Sequence, residues 1–312
     1  MKRKSTCAAV IDCGTNTFNL LIAQFSDSGW KSLLRTKRVV KLGAQGLSHG
    51  ILGPEAQQRA IDALLYYRIL LSEHRVKNVS VIGTAALRDA KNGKEFLSRV
   101  LRETGFNIRL VTGKEEAKLI YEGVKSSGVL NDACALIMDI GGGSTEFILC
   151  SHTKIYWKHS FRLGAARLIE AIDPSDPISK KDLVRMYDLL GEQLEPLFKA
   201  CKRFPPERLV GSSGSFDTFT SLIQGERNLK PARKKHQEIS DGDWKKLYAR
   251  LLASTLAARL KMPGMIAMRA DMIVMAACLV EFVRKETGLK KIHQCKYALK
   301  EGVIASLYNA NS

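Results

Sequence analysis

The sequence predicts an α/β protein of two related domains, and three observations carry that expectation. At 312 residues the chain exceeds the usual size of one hydrophobic core, about 150 residues per domain being typical. Short apolar runs bounded by turn residues alternate with helical periodicity, the pattern of βαβ units and a largely parallel sheet. The pattern then restarts. Ile11-Asp12-Cys13-Gly14-Thr15-Asn16-Thr17 returns about 127 positions later as Met138-Asp139-Ile140-Gly141-Gly142-Gly143-Ser144.

The elements follow in order. Residues 8–12 and 19–24 are apolar runs joined by the turn Gly14–Thr17, and 32–42 reads as a further strand. A Gly-rich connector over 43–53 leads to Pro54, which opens a helix with Ile61, Leu64, Leu65 and Ile69 at helical spacing. A strand at 78–83, a helix at 92–105, a strand at 108–112 and a helix at 113–125 complete the first half. Strands at 134–140 and 146–150 bracket the second glycine turn. From 163 onward the chain turns helical, near 178–200, 215–224, 240–260, 269–287 and 298–309, with a strand at 208–211. The polar, basic, Pro-interrupted stretch 226–238 reads as an exposed loop. No Gly-, Ser- or Pro-rich linker separates the halves, so the expected domains, 1–125 and 126–312, join tightly near 125–132.

Hydrophobic residues at 45% and charged residues at 26% describe a globular chain, not a disordered one. The net charge of +18 falls on both halves and favours an anionic partner: nucleic acid, anionic lipid or polyphosphate. Seven cysteines without a CxxC pair exclude a structural zinc site and point to a reducing compartment. The basic Met1–Lys4 start is followed by an apolar run that breaks at Asp12, so it cannot serve as a secretory signal. No run approaches the ~18 apolar residues of a bilayer span. A soluble cytoplasmic protein without a membrane partner is expected.

Both Asp-x-Gly turns place a carboxylate at a strand end, followed by small and hydroxyl residues. Small residues let the backbone approach a phosphate, and turn amides donate to its oxygens. Asp12 and Asp139 then suit a cation or a water. An ordinary tight turn with a capping Asp is the alternative for either copy alone; the repetition favours the functional reading. No Walker-type loop occurs, because Gly113-Lys114 is followed by Glu115, and Glu146 stands where a G-x-G-x-x-G would need its last glycine. Gly83–Arg88 follows a strand, so Arg88 reads either as a phosphate-gripping guanidinium or as a surface residue. On the 113–125 helix, Ala117, Ile120, Tyr121 and Val124 form the buried face. Glu115 falls with Lys118 and Glu122 on the solvent side, as a first-turn glutamate. Glu116 falls at the margin of the buried face, where partial desolvation suits a general base. The six histidines match no metal or nucleophile pattern, and Ser212-Ser213-Gly214-Ser215 after the 208–211 strand is a third anion-binding turn. G-x-S-x-G is not matched there, which argues against a nucleophile elbow.

These residues come in the order of one family. Ile11–Thr17, Gly83-Thr84 with Arg88, Gly113-Lys114-Glu115-Glu116-Ala117 and Asp139–Glu146 resemble the exopolyphosphatase / guanosine pentaphosphate phosphatase family of the actin-like ATPase superfamily. The likeness continues through Leu163–Leu168, Arg269-Ala270-Asp271 and Ala298–Gly302, nearly the whole chain. It implies two actin-like (ribonuclease H-like) domains with the active site in the cleft between them. The second domain carries helical additions, and the C-terminal helix is free to pack back on the first. The resemblance implies that Glu116 activates water and that Asp139 and Glu146, with Asp12, hold Mg²⁺ or another divalent cation. It implies that Arg88, Thr15, Asn16, Thr17, Gly141, Gly142, Gly143, Ser144 and Thr145 grip phosphates, joined by Gly211, Ser212, Ser213, Gly214 and Ser215.

Three departures stand out. The first turn has Gly-Thr-Asn-Thr for the usual Gly-Ser-Asn-Ser, and Gly211–Ser215 replaces the usual Gly-Thr-Gly-Gly-Thr. Lys300 replaces a common arginine, a point charge for a planar fork. The added C-terminal HD-like region of long members is not expected, which leaves the short two-domain form. The implied reaction is metal-dependent release of the terminal phosphate of inorganic polyphosphate. Two rivals remain open: release of the 5′ phosphate of guanosine pentaphosphate, the alarmone branch, and a non-catalytic sensor of polyphosphate or nucleotide. Arg227, Lys230, Arg233, Lys234 and Lys235 read equally as a guide for a polyanion or as a solvated loop. A homodimer is implied by the family; nucleic acid is not expected, since no recognised module is present.

Overall fold

A computed structural model describes residues 6–43, 50–229 and 234–310. The chain forms two compact units, one comprising residues up to Ser126 together with those from Leu299 onward, the other Ser127–Ala298.

The first unit opens with β1 (Cys7–Cys13), β2 (Thr17–Ser26) and β3 (Gly29–Val39), continues through α1 (Pro54–Glu73), β4 (Asn78–Gly83), α2 (Ala85–Asp89), α3 (Gly93–Thr104), β5 (Arg109–Leu110) and α4 (Gly113–Ser126), and closes with α12 (Leu299–Ala310). Its sheet runs β3-β2-β1-β4-β5. The expectation of a largely parallel sheet needs correction, because β1, β2 and β3 are antiparallel and only β1, β4 and β5 are parallel. The chain leaves only short turns between the first three strands, whereas a parallel crossover needs a dozen or more residues. Only α1 and α3 are long enough to make one. Ile11, Phe18, Leu20 and Ile22 pack with Ile61, Leu64 and Tyr67 of α1 and with Phe96 and Val100 of α3. The Tyr67 hydroxyl is satisfied by the Phe18 carbonyl at 2.7 Å.

The second unit repeats the scheme with β6 (Ala135–Ile140), β7 (Thr145–Cys150) and β8 (Ile155–Phe161). It continues through α5 (Ala165–Ile172), α6 (Lys180–Gln193), α7 (Glu195–Arg203), β9 (Arg208–Ser212), α8 (Ser213–Glu226), β10 (His236–Ile239), α9 (Asp241–Leu252), α10 (Leu256–Leu260), α11 (Ile273–Thr287) and β11 (Ile292–Cys295). In its sheet, β10-β11-β9-β6-β7-β8, the stretch β8-β7-β6-β9-β11 has the order and directions of β3-β2-β1-β4-β5. This actin-like arrangement therefore occurs twice, with β10 added antiparallel at one edge of the second copy. α11 is buried on every side from Ile273 to Arg284, and its two buried charges pair with each other, Arg284 Nη1 with Glu281 at 2.9 Å.

Several boundaries differ from the sequence reading. The 178–200 helix is two helices that meet at Leu194, where Pro196 opens the second. The 240–260 helix breaks before Thr255, whose side chain caps α10 by accepting from the Ala258 amide at 3.2 Å. The end of the supposed 226–238 loop is β10. Its polar four-residue sequence becomes a strand only because β11 pairs with it. All seven cysteines are free. Among the described residues no helix is long and apolar enough to cross a membrane.

Candidate active site

The two Asp-x-Gly turns share one geometry. The Gly14 amide donates to the Thr17 carbonyl at 3.1 Å and the Gly141 amide to the Ser144 carbonyl at 2.9 Å. A Cβ at either glycine would come 3.0 Å from that carbonyl. The strands leaving the turns then differ. Asp139 pairs in register with Glu146, while Asp12 pairs with Asn19. Asp139 and Glu146 are buried, and each accepts from a serine on the next strand outward. Ser212 donates to Asp139 Oδ2 at 2.6 Å and Ser160 to Glu146 Oε1 at 2.7 Å. In the first copy the Asn19 amide donates to Asp12 Oδ2 at 3.3 Å.

The second copy thus presents two carboxylates side by side, and the first presents a carboxylate facing an amide. Among the described residues no cluster of three or more His, Cys, Asp or Glu could enclose a metal ion. Two hard carboxylate oxygens suit Mg²⁺ nonetheless, since it completes its shell with waters and substrate phosphates. Asp139 and Glu146 fit such an ion. Asp12, the third expected ligand, faces the Asn19 amide in place of a second carboxylate.

The glycine turn of the second copy is fixed from behind. Ala165 and Ala166 amides, at the start of α5, donate to the Gly141 and Gly142 carbonyls at 2.9 and 3.0 Å. Arg167 Nε reaches the Gly143 carbonyl at 2.9 Å. A Cβ on Gly164 would lie 2.3 Å from the Gly142 carbonyl group, so only glycine allows this approach. With the carbonyls of Gly141–Gly143 engaged, the amides of Gly142, Gly143 and Ser144 donate to no backbone acceptor outside regular elements, a concave set of donors of the kind that binds anions. Thr145 is placed differently from the expected phosphate-gripping role. It is fully buried, and its hydroxyl donates to the Leu163 carbonyl at 2.8 Å, so it latches the turn. In the first copy, the Asn16 carbonyl accepts from the Val40 and Lys41 amides at 3.0 and 2.9 Å. The Asn16 amide nitrogen is buried without a partner among the described residues, and Thr15 and Thr17 are buried beside it.

The third turn runs from β9 into α8. Gly211 is required because a Cβ there would strike the Phe216 ring at 2.0 Å. Ser212 and Ser215 are buried. Arg269, absent from the residues assigned a role from sequence, lies against Gly214: a Cβ there would be 2.4 Å from Nη2. Burial pushes its guanidinium pKa down, and Asp217, Asp139 and Asp271 counter that. Asp217 is itself held by Gln294 Nε2 at 2.6 Å. The Arg269-Ala270-Asp271 string was the available signal, but its proximity to a turn more than fifty residues earlier is made only by folding.

In the first unit, the start of α4 separates its two glutamates. Thr112 and Glu115 form a reciprocal capping box, with the Thr112 amide donating to Glu115 Oε2 at 2.8 Å and the Glu115 amide to Thr112 Oγ1 at 3.2 Å. Those bonds hold the Glu115 carboxyl below its usual range. Glu116 is left out of the cap and is buried. Arg88 Nη1, which also donates to the Val111 carbonyl at 2.9 Å, reaches Glu116 Oε2 at 3.0 Å. The structure therefore brings Glu116 and Arg88 together in one unit, and Asp139, Glu146, Gly141–Ser144 and Gly211–Ser215 in the other.

The basic stretch is only partly described, because Lys230 and Arg233 lie outside the described residues. Arg227 pairs with Asp243. Lys235 Nζ stands 5.4 Å from the Tyr297 ring centre, and Lys234 is exposed. Lys300 Nζ is 3.5 Å from Glu301, a fully buried carboxylate that also pairs with Arg35.

Known proteins resemble this chain over nearly its whole length. The model of the Ppx/GppA phosphatase family matches residues 21–310. The crystal structure of an exopolyphosphatase from Cytophaga hutchinsonii is 38% identical with a TM-score of 0.95, covering 98% of each chain. Exopolyphosphatase 2 of Mycobacterium tuberculosis is 30% identical over 97% of this chain and 98% of its own. The guanosine-5′-triphosphate,3′-diphosphate pyrophosphatase of Aeromonas hydrophila is 26% identical over 97% of this chain and 60% of its own.

Proposed function

The chain belongs to the Ppx/GppA phosphatase family, and we propose that it removes the terminal phosphate of inorganic polyphosphate as orthophosphate. The observation that carries this reading is the division of the glutamates on α4. Glu115 serves the helix cap, while the buried Glu116, held by Arg88, orients a water and takes its proton at a carboxylate oxygen. The water oxygen then bonds to the terminal phosphorus, and the bridging oxygen leaves in line with its electron pair. Arg88, held by the Val111 carbonyl, Glu116 and Asp89, fixes the carboxylate and offers Nη2 to phosphate oxygens. The amides of Gly142, Gly143 and Ser144 hold phosphate oxygens. Asp139 and Glu146 would hold a magnesium ion, which supplies charge neutralisation on the phosphates when bound.

Two facts favour polyphosphate over the nucleotide. The chain carries +18, suited to a long polyanion. The two exopolyphosphatases are 38% and 30% identical to this chain, the Aeromonas nucleotide enzyme 26%. Seven free cysteines favour a reducing compartment, the cytoplasm. The test is phosphate release with Mg²⁺ from long-chain polyphosphate and from guanosine pentaphosphate, for wild type and Glu116→Gln. Faster release from polyphosphate, abolished in the variant, supports the reading. Preference for the nucleotide transfers the same machinery to the alarmone, and release from neither substrate rejects it.

A further inference from the structure

We propose that β3 is a docking strip for the distal part of the polyphosphate chain: the cations of this edge strand bind phosphates several units removed from the one hydrolysed, and so favour long chains. This rests on the polyphosphate reading above and adds a second site to it, within the first unit.

The first observation is the charge. Between Asp27 and Glu55 the sequence holds five cations, Lys31, Arg35, Lys37, Arg38 and Lys41, and no carboxylate. Four of them lie on β3, and all five are exposed. β3 is the outermost strand of its sheet, where a lysine protects an edge against pairing with another chain. Protection does not need this many. β8, the equivalent edge of the second unit, carries one lysine, Lys158, and no arginine. The register puts Arg35 and Lys37 on one face, opposite Leu21 and Asn19, and Arg38 on the other, opposite Phe18. Arg35 is committed to the buried Glu301 of α12. Arg38 lies 4.4 Å over the Tyr66 ring of α1, which holds the guanidinium in place and leaves its charge intact. The strip therefore rests on Lys31 and Arg38, with Lys37 and Lys41 adding to its field.

The second observation is where the strip begins. The Val40 and Lys41 amides both donate to the Asn16 carbonyl, and Val39 stands in register with Thr17, so the end of β3 is fastened to the first glycine turn. Arg59 of α1 secures the same place, its Nε donating to the Val40 carbonyl at 2.8 Å. From there the strand runs back to Lys31 over about 30 Å, at ~3.3 Å per residue. A phosphate chain gripped at Thr15–Thr17 thus meets Lys41, then Arg38 and Lys37, then Lys31. Inorganic polyphosphate fits this strip better than nucleic acid. A nucleic-acid strand relies on aromatic faces on which its bases stack, and Tyr66, the exposed ring beside the strip, is covered by Arg38. A row of cations recognises a repeating oxyanion and needs no base.

The experiment titrates long-chain polyphosphate and tripolyphosphate calorimetrically into the full chain, without divalent metal and over a range of salt concentrations. The test variant is Lys31→Gln/Lys37→Gln/Arg38→Gln. A second, Lys31→Gln/Lys37→Gln, keeps the contact of Arg38 with Tyr66. A control, Lys77→Gln/Lys94→Gln/Arg102→Gln, removes the same charge from exposed positions elsewhere in the unit. The triple variant should bind the long chain roughly tenfold more weakly, and its plot of log affinity against log salt should be shallower by about two to three. The double variant should fall between it and wild type, and the control should match wild type. Tripolyphosphate, too short to lie along the strip, should lose less than about twofold in the triple variant. KM for long-chain polyphosphate with Mg²⁺ should rise with the loss of affinity. Unchanged long-chain affinity in the triple variant overturns the proposal, as does an equal loss for tripolyphosphate or in the control. A single-stranded oligonucleotide that binds wild type as tightly as polyphosphate, and loses affinity in the triple variant, also overturns it and gives the strip to nucleic acid. If wild type releases no phosphate but the triple variant still loses long-chain affinity selectively, the strip stands and the hydrolase reading fails.

Discussion

Asp139 and Glu146 stand directly opposite one another on β6 and β7, and each is held by a serine hydroxyl from the neighbouring strand, Ser212 at 2.6 Å and Ser160 at 2.7 Å. Two carboxylates side by side repel each other unless hydrogen-bond donors or a cation intervene. The serines supply one donor to each. In the first unit the same register position holds Asp12 opposite Asn19, so the repulsion is absent and so is the acidic pair. The two turns have kept one backbone and diverged in charge.

Removing the outer support should therefore loosen the metal without touching the carboxylates. For Ser160→Ala, the Mg²⁺ concentration giving half-maximal phosphate release should rise roughly 10- to 100-fold, the usual cost of losing a supporting hydrogen bond to a ligand. Activity at saturating Mg²⁺ should recover. A Mg²⁺ titration that superposes on wild type would show that Ser160 does not orient Glu146 for a metal.

The neighbouring glutamates of α4 should separate cleanly. Glu116→Gln should lower kcat by about 10²–10⁴-fold, the range for loss of a general base, while tripolyphosphate affinity stays within a factor of about two. Glu115→Ala should leave kcat unchanged and lower the melting temperature, because it removes the acceptor of the box with Thr112. Exchange of these phenotypes would place the base at Glu115 and remove the basis for the assignment.

Much of this site was legible in the sequence, and the remainder was hidden for identifiable reasons. The Asp12 and Asp139 turns announce themselves because glycine and small hydroxyl residues have few other reasons to recur in one order. The choice of Glu116 over Glu115 followed from helical geometry alone. The difference between the two acidic positions was also readable: Asn19 and Glu146 each lie seven residues beyond their aspartate, and a hairpin register would have paired them. Arg269 was not legible, since its closeness to Gly214 is made by folding. Nor were β10 and β11, four-residue strands whose pairing, not their composition, makes them strands. β8, a half-exposed edge strand carrying Lys158 and His159, lacks the alternation that marks a strand in isolation.

Asp182 provides a pH signature away from the site. Its carboxylate accepts from the Ser179 hydroxyl at 2.6 Å, the Ser175 hydroxyl at 2.8 Å and the Ser175 amide at 3.1 Å, and these bonds hold its pKa well below the usual aspartate range. A depressed folded value means that its stabilisation is complete above the unfolded value of about 3.9 and disappears as the pH falls through the folded one. The melting temperature of Asp182→Asn should accordingly lie below wild type by a constant amount at neutral pH. The gap should narrow progressively below about pH 4. A gap independent of pH would mean that the loss comes from packing and not from the charge.

Two glycines in helix interiors should respond to alanine in opposite directions. By propensity alone, alanine in a helix is worth roughly 1 kcal/mol over glycine. At Gly191 of α6 a Cβ would meet only the edge of Phe282 at 3.8 Å, so the gain should appear nearly whole. Gly302 of α12 is different. A Cβ there would fall 1.8 Å from the Leu119 carbonyl oxygen and 3.0 Å from the Gly123 amide nitrogen, both backbone atoms of α4, which cannot turn aside as a side chain can. Relieving that overlap requires the two helices to separate, and overpacking of this kind costs about 1–3 kcal/mol or more, which exceeds the propensity gain. Gly302→Ala should therefore melt several degrees below wild type while Gly191→Ala melts above it. α12 also carries Glu301, buried against Arg35 and Lys300, so its displacement should loosen that ion pair as well. A Gly302→Ala protein that melts at or above wild type would show that α12 does not pack backbone to backbone on α4.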